Sequence, residues 1–278
     1  MISVVFFGSF QNYSVQFLEK LHQNSNIKIV AVITTPPRPA NHGVITKTAV
    51  HTYCESENIP IFPLEDLNNI PNIDKPDFIV VAGFGQLIND RWLNYCKYMA
   101  INFHPSLLPA YAGRFPIEWA ILNSETTIGL SLIKMSPQFD KGDILAQKSL
   151  QLLPTDTKES LYFHLYQIGA QTFIESIPSL ISSKITPTPQ TGSGFYARQI
   201  TKNDGFIDNL DNIKNKLRAL NPWPGVWTYV YDKTGHQLKM KIISVTQNNQ
   251  KTEFENVLIE GKKPTLWSQI SSHYSLTK

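Results

Sequence analysis

The sequence predicts an α/β protein, in which a doubly wound, mostly parallel sheet is followed by a small β-rich domain. Three observations carry this expectation. Short apolar runs alternate with helical patterns through the first 150 residues, the mark of parallel strands joined by crossover helices. The first run, Ser3–Gly8, ends in glycine, as a buried parallel strand should. Beyond Gly225 the residues are strand-like.

Ser3–Gly8 is a continuous apolar run and predicts the first strand. Val15, Leu18 and Leu21 then recur at helical spacing over Asn12–His22. Ile27–Ile33 predicts the second strand and Thr46–Asn58 the next helix. Asp77–Phe84 and Tyr98–Phe103 predict two further strands, with a helix near Asp90–Tyr95 between them. Ile117–Leu122 is expected to be helical, and Thr127–Met135 and Ile144–Leu150 to be strands. Asp156 with Glu159 can cap a helix running to about Pro178, its inner face formed by Leu161, Leu165, Ile168 and Thr172. After the irregular stretch around Pro187, Pro189, Gly192 and Gly194 comes a short helix, Ile213–Leu220. The strand-like segments Val226–Tyr231, Leu238–Val245 and Val257–Ile259 follow. The expected organisation is a domain over 1–184, a linker over 185–205 and a β-rich domain over 206–278.

Composition excludes several classes. The longest apolar candidate, Phe78 to Phe84, falls far short of the roughly 20 residues that span a bilayer. The first residues carry no basic leader, so no signal peptide is expected and a cytoplasmic address fits best. Cys54 and Cys96 cannot by themselves build a disulfide framework or a zinc site. The seven histidines show no metal-ligand spacing, so no metal is expected. Gly8 opens a strand–helix turn that lacks a dinucleotide fingerprint. Net charge is only +3, yet residues 1–200 hold 14 Lys/Arg against 15 Asp/Glu while residues 201–278 hold 11 against 7. A basic last quarter can hold an anionic polymer, or it can simply aid solubility.

The chemistry concentrates in Ala100-Ile101-Asn102-Phe103-His104-Pro105-Ser106-Leu107-Leu108-Pro109. Residues two apart on a strand share a face, so Asn102 and His104 project together and Pro105 places them at the strand's end. An amide N–H suits an oxygen that turns negative, and an imidazole can move a proton near neutral pH. Together they suit acyl transfer to an amine, and no activated Ser or Cys accompanies them. Asp140, in a turn between two strands, can face the histidine. The residues alone also allow a structural histidine and an aspartate that caps its own turn.

The order Asn-x-His-Pro-Ser-Leu-Leu-Pro, Tyr111-x-Gly113, Pro116-Ile117 and Phe139-Asp140-x-Gly142-Asp143-Ile144-Leu145 resembles the folate-dependent formyltransferases. Phe7-Gly8-Ser9, Thr35–Ala40, Asn221-Pro222-Trp223-Pro224-Gly225 and Glu260-Gly261-Lys262-Lys263 extend the resemblance over nearly the whole chain. It implies the formyltransferase variant of the Rossmann-like sheet with a shortened, OB-like β domain that binds nucleic acid. It implies catalysis by Asn102, His104 and Asp140. The co-substrate, 10-formyltetrahydrofolate, would lie against Phe84, Gly85, Gln86, Leu87 and Ile88, against Ser106, Leu107, Leu108 and Pro109, and against Phe139 and Gly142. The acceptor would be the amine of methionine esterified to initiator tRNA. Arg38, His42 and Lys47 of the 36–48 loop, Gly113, Arg114, Lys262 and Lys263 would contact it. A sister chemistry, formylation of a nucleotide-linked amino sugar, uses the same trio. Trp223 and Trp227 are read as packing residues, and a monomer is expected.

Overall fold

In the computed structural model, which describes residues 1–40, 43–248 and 251–276, the chain opens with β1 (Ile2–Phe7), α1 (Gln11–His22) and β2 (Ile27–Thr34). A hairpin of β3 (Arg38–Ala40) and β4 (Val44–Thr46) precedes α2 (Ala49–Ser56) and β5 (Ile61–Pro63). Next come β6 (Phe78–Ala82), α3 (Asp90–Leu93), β7 (Met99–His104), β8 (Ala112–Gly113) and α4 (Pro116–Leu122). The pair β9 (Thr127–Lys134) and β10 (Ile144–Gln151) leads into α5 (Lys158–Ile181).

The seven-stranded sheet has the order β10-β9-β7-β6-β1-β2-β5. From β7 to β5 all neighbours are parallel, and β9 and β10 are antiparallel. The expected doubly wound, mostly parallel α/β sheet is therefore present. All five residues of β6 are buried, as a central strand covered on both faces requires. One face packs Phe6, Val80, Ile101 and Phe103 against α1 and α5; the other packs Phe7, Ile79 and Val81 around the buried Trp92 of α3. The strand order reverses between β1 and β6, so a ligand crevice belongs beyond their carboxyl ends.

Local capping shifts several expected boundaries. The helix expected from Thr46 starts at Ala49, because the Thr48 hydroxyl accepts from His51 N at 3.0 Å and caps it. Residues 44–46 instead pair with Arg38–Ala40. Thr157, not Asp156, caps α5 through a reciprocal box with Ser160, while Asp156 accepts from Leu153 N. Pro178 lies inside α5.

In the second part, β11 (Tyr196–Ala197) pairs with β8. Then come α6 (Ile213–Leu220), β12 (Val226–Asp232), β13 (Gln237–Ile242), β14 (Val245–Asn248), β15 (Lys251–Phe254), β16 (Asn256–Ile259), β17 (Thr265–Leu266), α7 (Trp267–Ile270) and β18 (Tyr274–Ser275). The strand expected over Leu238–Val245 is thus divided between β13 and β14. Five strands form an antiparallel sheet, β17-β16-β13-β12-β18, whose edges do not meet, so the barrel stays open. Val230, Met240, Val257 and Ile259 fill its inner face. Ile213, Ala219 and Leu220 of α6 join the core of the first domain, and Arg218 donates to Leu153 O at 2.7 Å. Trp227 is half-buried and donates to Lys202 O at 2.9 Å, but Trp223 is 48% exposed. Trp223 is therefore not a core packing residue.

Candidate active site

β7 sorts its residues by face. Phe103 enters the core edge-on to Tyr166, with ring centroids 4.6 Å apart, and contacts Phe17. Asn102 and His104 are turned to the other side by strand alternation. Pro105, which has no N–H, ends the ladder. His104 is 5% exposed. Asn102 is half-buried and, among the described residues, its carboxamide makes no hydrogen bond to protein, so it remains available to a ligand.

Both imidazole nitrogens of His104 are engaged. Nε2 lies 3.0 Å from Tyr111 O. A carbonyl oxygen only accepts, so Nε2 carries hydrogen in every protonation state. That leaves Nδ1 as the nitrogen that gains or loses a proton, and it lies 3.4 Å from Asp140 Oδ1. The other carboxylate oxygen accepts from Gly113 N at 3.0 Å. Asp140 has φ 54°, a left-handed conformation that aspartate tolerates better than most residues. Gly113 has φ 122°, and a Cβ there would collide with the Ala197 carbonyl.

The loop after β7 is held from below. Ser131, paired with His104 across β7 and β9, donates to Ser106 O at 2.7 Å and accepts from Leu108 N at 3.0 Å. Gln147 Nε2 donates to Ser131 Oγ and Leu108 O, both at 2.9 Å. Residues 190–197 then cross the loops that carry Tyr111, Arg114 and Asp140. Phe195 O accepts from Tyr111 N at 2.7 Å, and Ala197 O accepts from Arg114 N at 2.8 Å. Gln190 Nε2 donates to Asp140 O and Gly142 O, each at 2.8 Å.

Four of these groups were not singled out from sequence: the Tyr111 carbonyl, Ser131, Gln147 and Gln190. Ser131 did leave a signal, as a serine inside the apolar run Leu130–Ile133. Gln190, between Pro189 and Thr191, left none.

The remaining candidate residues are dispersed. Phe84 (8% exposed), Ile88 (2%) and Leu108 (3%) turn their side chains into the core, and both backbone groups of Leu108 are taken by Ser131 and Gln147. Leu87 and Phe139 are exposed. Gly85 has nothing within 4 Å of where a Cβ would stand, so its backbone is open. Arg38 lies on the β3–β4 hairpin, and Lys47 is ion-paired with Glu55 at 2.6 Å. His42 lies outside the described residues. Arg114 is exposed and donates to Gln199 at 2.9 Å. Lys262 and Lys263 occupy the exposed turn between β16 and β17.

A strand-end amide, a buried imidazole and a carboxylate therefore converge, which suits stabilising an oxyanion and moving a proton beside it. Residues 1–177 match the family described as formyl transferase, and residues 199–269 match its C-terminal domain. The chain belongs to the formyl transferase family. Its relatives include the methionyl-tRNA formyltransferases of Clostridium acetobutylicum, 34% identical with 92% of this chain and 86% of that one covered, and of Geobacter sulfurreducens, 30% identical with 95% and 84% covered. Among solved structures, the N-formyltransferase from Helicobacter canadensis in complex with folinic acid and dTDP-3-aminofucose superposes with a TM-score of 0.62 at 23% identity, covering 93% of this chain and 95% of that one. Among the described residues of this formyl transferase, no helix is long and apolar enough to cross a membrane.

Proposed function

We propose that this formyl transferase moves the formyl group of 10-formyltetrahydrofolate to the amine of methionine esterified to initiator tRNA. The observation that carries the chemistry is the contact of His104 Nδ1 with Asp140 at the end of the strand that also bears Asn102, whose amide has no partner among the described residues. The choice of acceptor rests on relatives at 30–34% identity over more than nine-tenths of the chain, which bear that activity in their names. The basic last quarter supports an RNA partner.

The folate co-substrate supplies the formyl carbon, borne on N10. Asn102 donates to the formyl oxygen as attack by the amine makes it negative. A new C–N bond forms to the amine, the bond to N10 breaks, and the proton shed by the amine passes to N10. His104 Nδ1 and Asp140 provide the place where that proton is held. The turn of Phe139 and Gly142 and the open backbone around Gly85 offer amide groups to the flat edge of the pterin.

Formylation of a nucleotide-linked amino sugar is the second reading. One feature favours it: the 36–48 segment holds only Arg38 and Lys47 as basic residues, and Lys47 is paired with Glu55. The likeness to the sugar enzyme, at 23% identity, is one of fold. Incubation with formyl-labelled folate and either charged initiator tRNA or an amino-sugar nucleotide separates the two. Label is expected on tRNA, and label on the sugar alone would overturn the proposal.

A further inference from the structure

We infer that Gln190 is a positioning residue, a clamp that holds the catalytic carboxylate of Asp140 on His104. The inference rests on the proposed role of the trio and extends it to the segment that links the domains.

That segment, 178–198, falls between the two family matches, 1–177 and 199–269, so family membership assigns it nothing. Thr188 nevertheless pairs with Ile144 in a bridge, which brings Gln190 over the turn that carries Asp140. Its single Nε2 donates to the carbonyls of Asp140 and Gly142, both at 2.8 Å. Those two carbonyls bracket the turn in which Asp140 adopts φ 54°. On its far side the turn is tight against β9, since a Cβ on Gly142 would collide with the Lys134 carbonyl. The turn is thus held on two sides, and the carboxylate it presents reaches both Gly113 N and His104 Nδ1.

The other end of the Gln190 amide argues against a merely structural role. Oε1 is buried and, among the described residues, has no hydrogen-bond partner. A buried acceptor left unmade costs stability. The side chain forgoes that bond to keep both donors on the catalytic turn.

Gln190→Glu keeps the shape and sets a carboxylate against two carbonyl oxygens; Gln190→Ala removes the clamp altogether. Both variants of the full chain are compared with Thr191→Ala, an exposed neighbour. For Gln190→Glu and Gln190→Ala, the turnover number for formyl transfer to methionyl-tRNA is expected to fall roughly 10- to 100-fold with the tRNA KM unchanged. The ¹⁵N resonance of His104 Nδ1 is expected to move in both variants and to stay in place in Thr191→Ala. If that resonance is unmoved in both variants, or if activity per folded molecule equals wild type, the clamp is overturned. The resonance needs no acceptor. Inactivity of the wild type on tRNA with a resonance that still moves would sink the acceptor assignment and leave the clamp standing.

Discussion

His104 Nε2 lies 3.0 Å from the carbonyl oxygen of Tyr111, a contact that fixes this nitrogen as a hydrogen-bond donor. With Nε2 committed as a donor, proton exchange is confined to Nδ1, opposite Asp140. The carbonyl is in turn placed by a loop anchored on Ser131 and by the Tyr111 N–H bond to Phe195.

His104 and Asp140 should behave as one unit. His104→Gln and Asp140→Asn are each expected to lower the turnover number by about 10²- to 10⁴-fold, and the double variant should be little worse than the more damaging single one. Rapid-quench single-turnover measurements check this. A double variant whose loss is the product of the two would mean independent roles.

Asn102→Ala should cost about 10²- to 10³-fold in turnover, the usual effect of removing one donor to a developing oxyanion. Its melting temperature should match wild type, because the half-buried amide has no partner among the described residues. Loss of stability in step with activity would assign Asn102 to the fold instead.

Ser131→Ala tests the loop anchor. The change strands Leu108 N–H and Ser106 C=O in a buried site, at about 1–3 kcal/mol per buried group. At roughly 2–4 °C per kcal/mol for a chain of this class, calorimetry should show a drop of several degrees. Turnover should fall as well, since the Tyr111 carbonyl moves with the loop.

Glu118 predicts a pH effect on stability. It is 4% exposed and accepts the Tyr162 hydroxyl at 2.8 Å. Burial pushes its pKa above the ordinary 4.5, opposed in part by that hydroxyl and by Lys158. The folded chain therefore binds this proton more tightly than the unfolded chain does. Its stabilising contribution is full below about pH 4.5 and is lost as pH rises through the raised value. Glu118→Gln, which stays neutral, should gain melting temperature over wild type at pH 8 relative to pH 4. An offset that is constant with pH would contradict the raised value.

Lys262→Ala with Lys263→Ala tests the second domain. If both meet phosphates, the plot of log affinity for tRNA against log salt should become shallower by roughly one per lysine. An unchanged slope would remove this turn from the interface.

Much of the site was legible before any coordinates. Asn102 and His104 are two apart on a strand that Pro105 ends, so their common face follows from alternation alone. The apolar runs around Val4, Val80 and Ile101 likewise announce buried parallel strands. The shift of the first residue of α2 from Thr46 to Ala49 was not legible, because the Thr48 cap competes with a hairpin whose partner strand lies upstream. Trp223 misled as well: a tryptophan between prolines reads as a packing residue, yet it is 48% exposed.

Sequence by itself determined the long strands of the main sheet, β1, β2, β6, β7, β9 and β10, and which residues stand at the tip of β7. Those properties depend on periods of two and of about 3.6 residues, which are local to the chain. Only tertiary structure decided that Asp140 meets Nδ1, that the Tyr111 carbonyl holds Nε2, and that Gln190 crosses from a segment without periodicity to the turn of Asp140. The last two contacts join groups 7 and 50 residues apart in the chain, and in each the acceptor is a backbone carbonyl that every residue possesses. No residue type marks such a partner in advance.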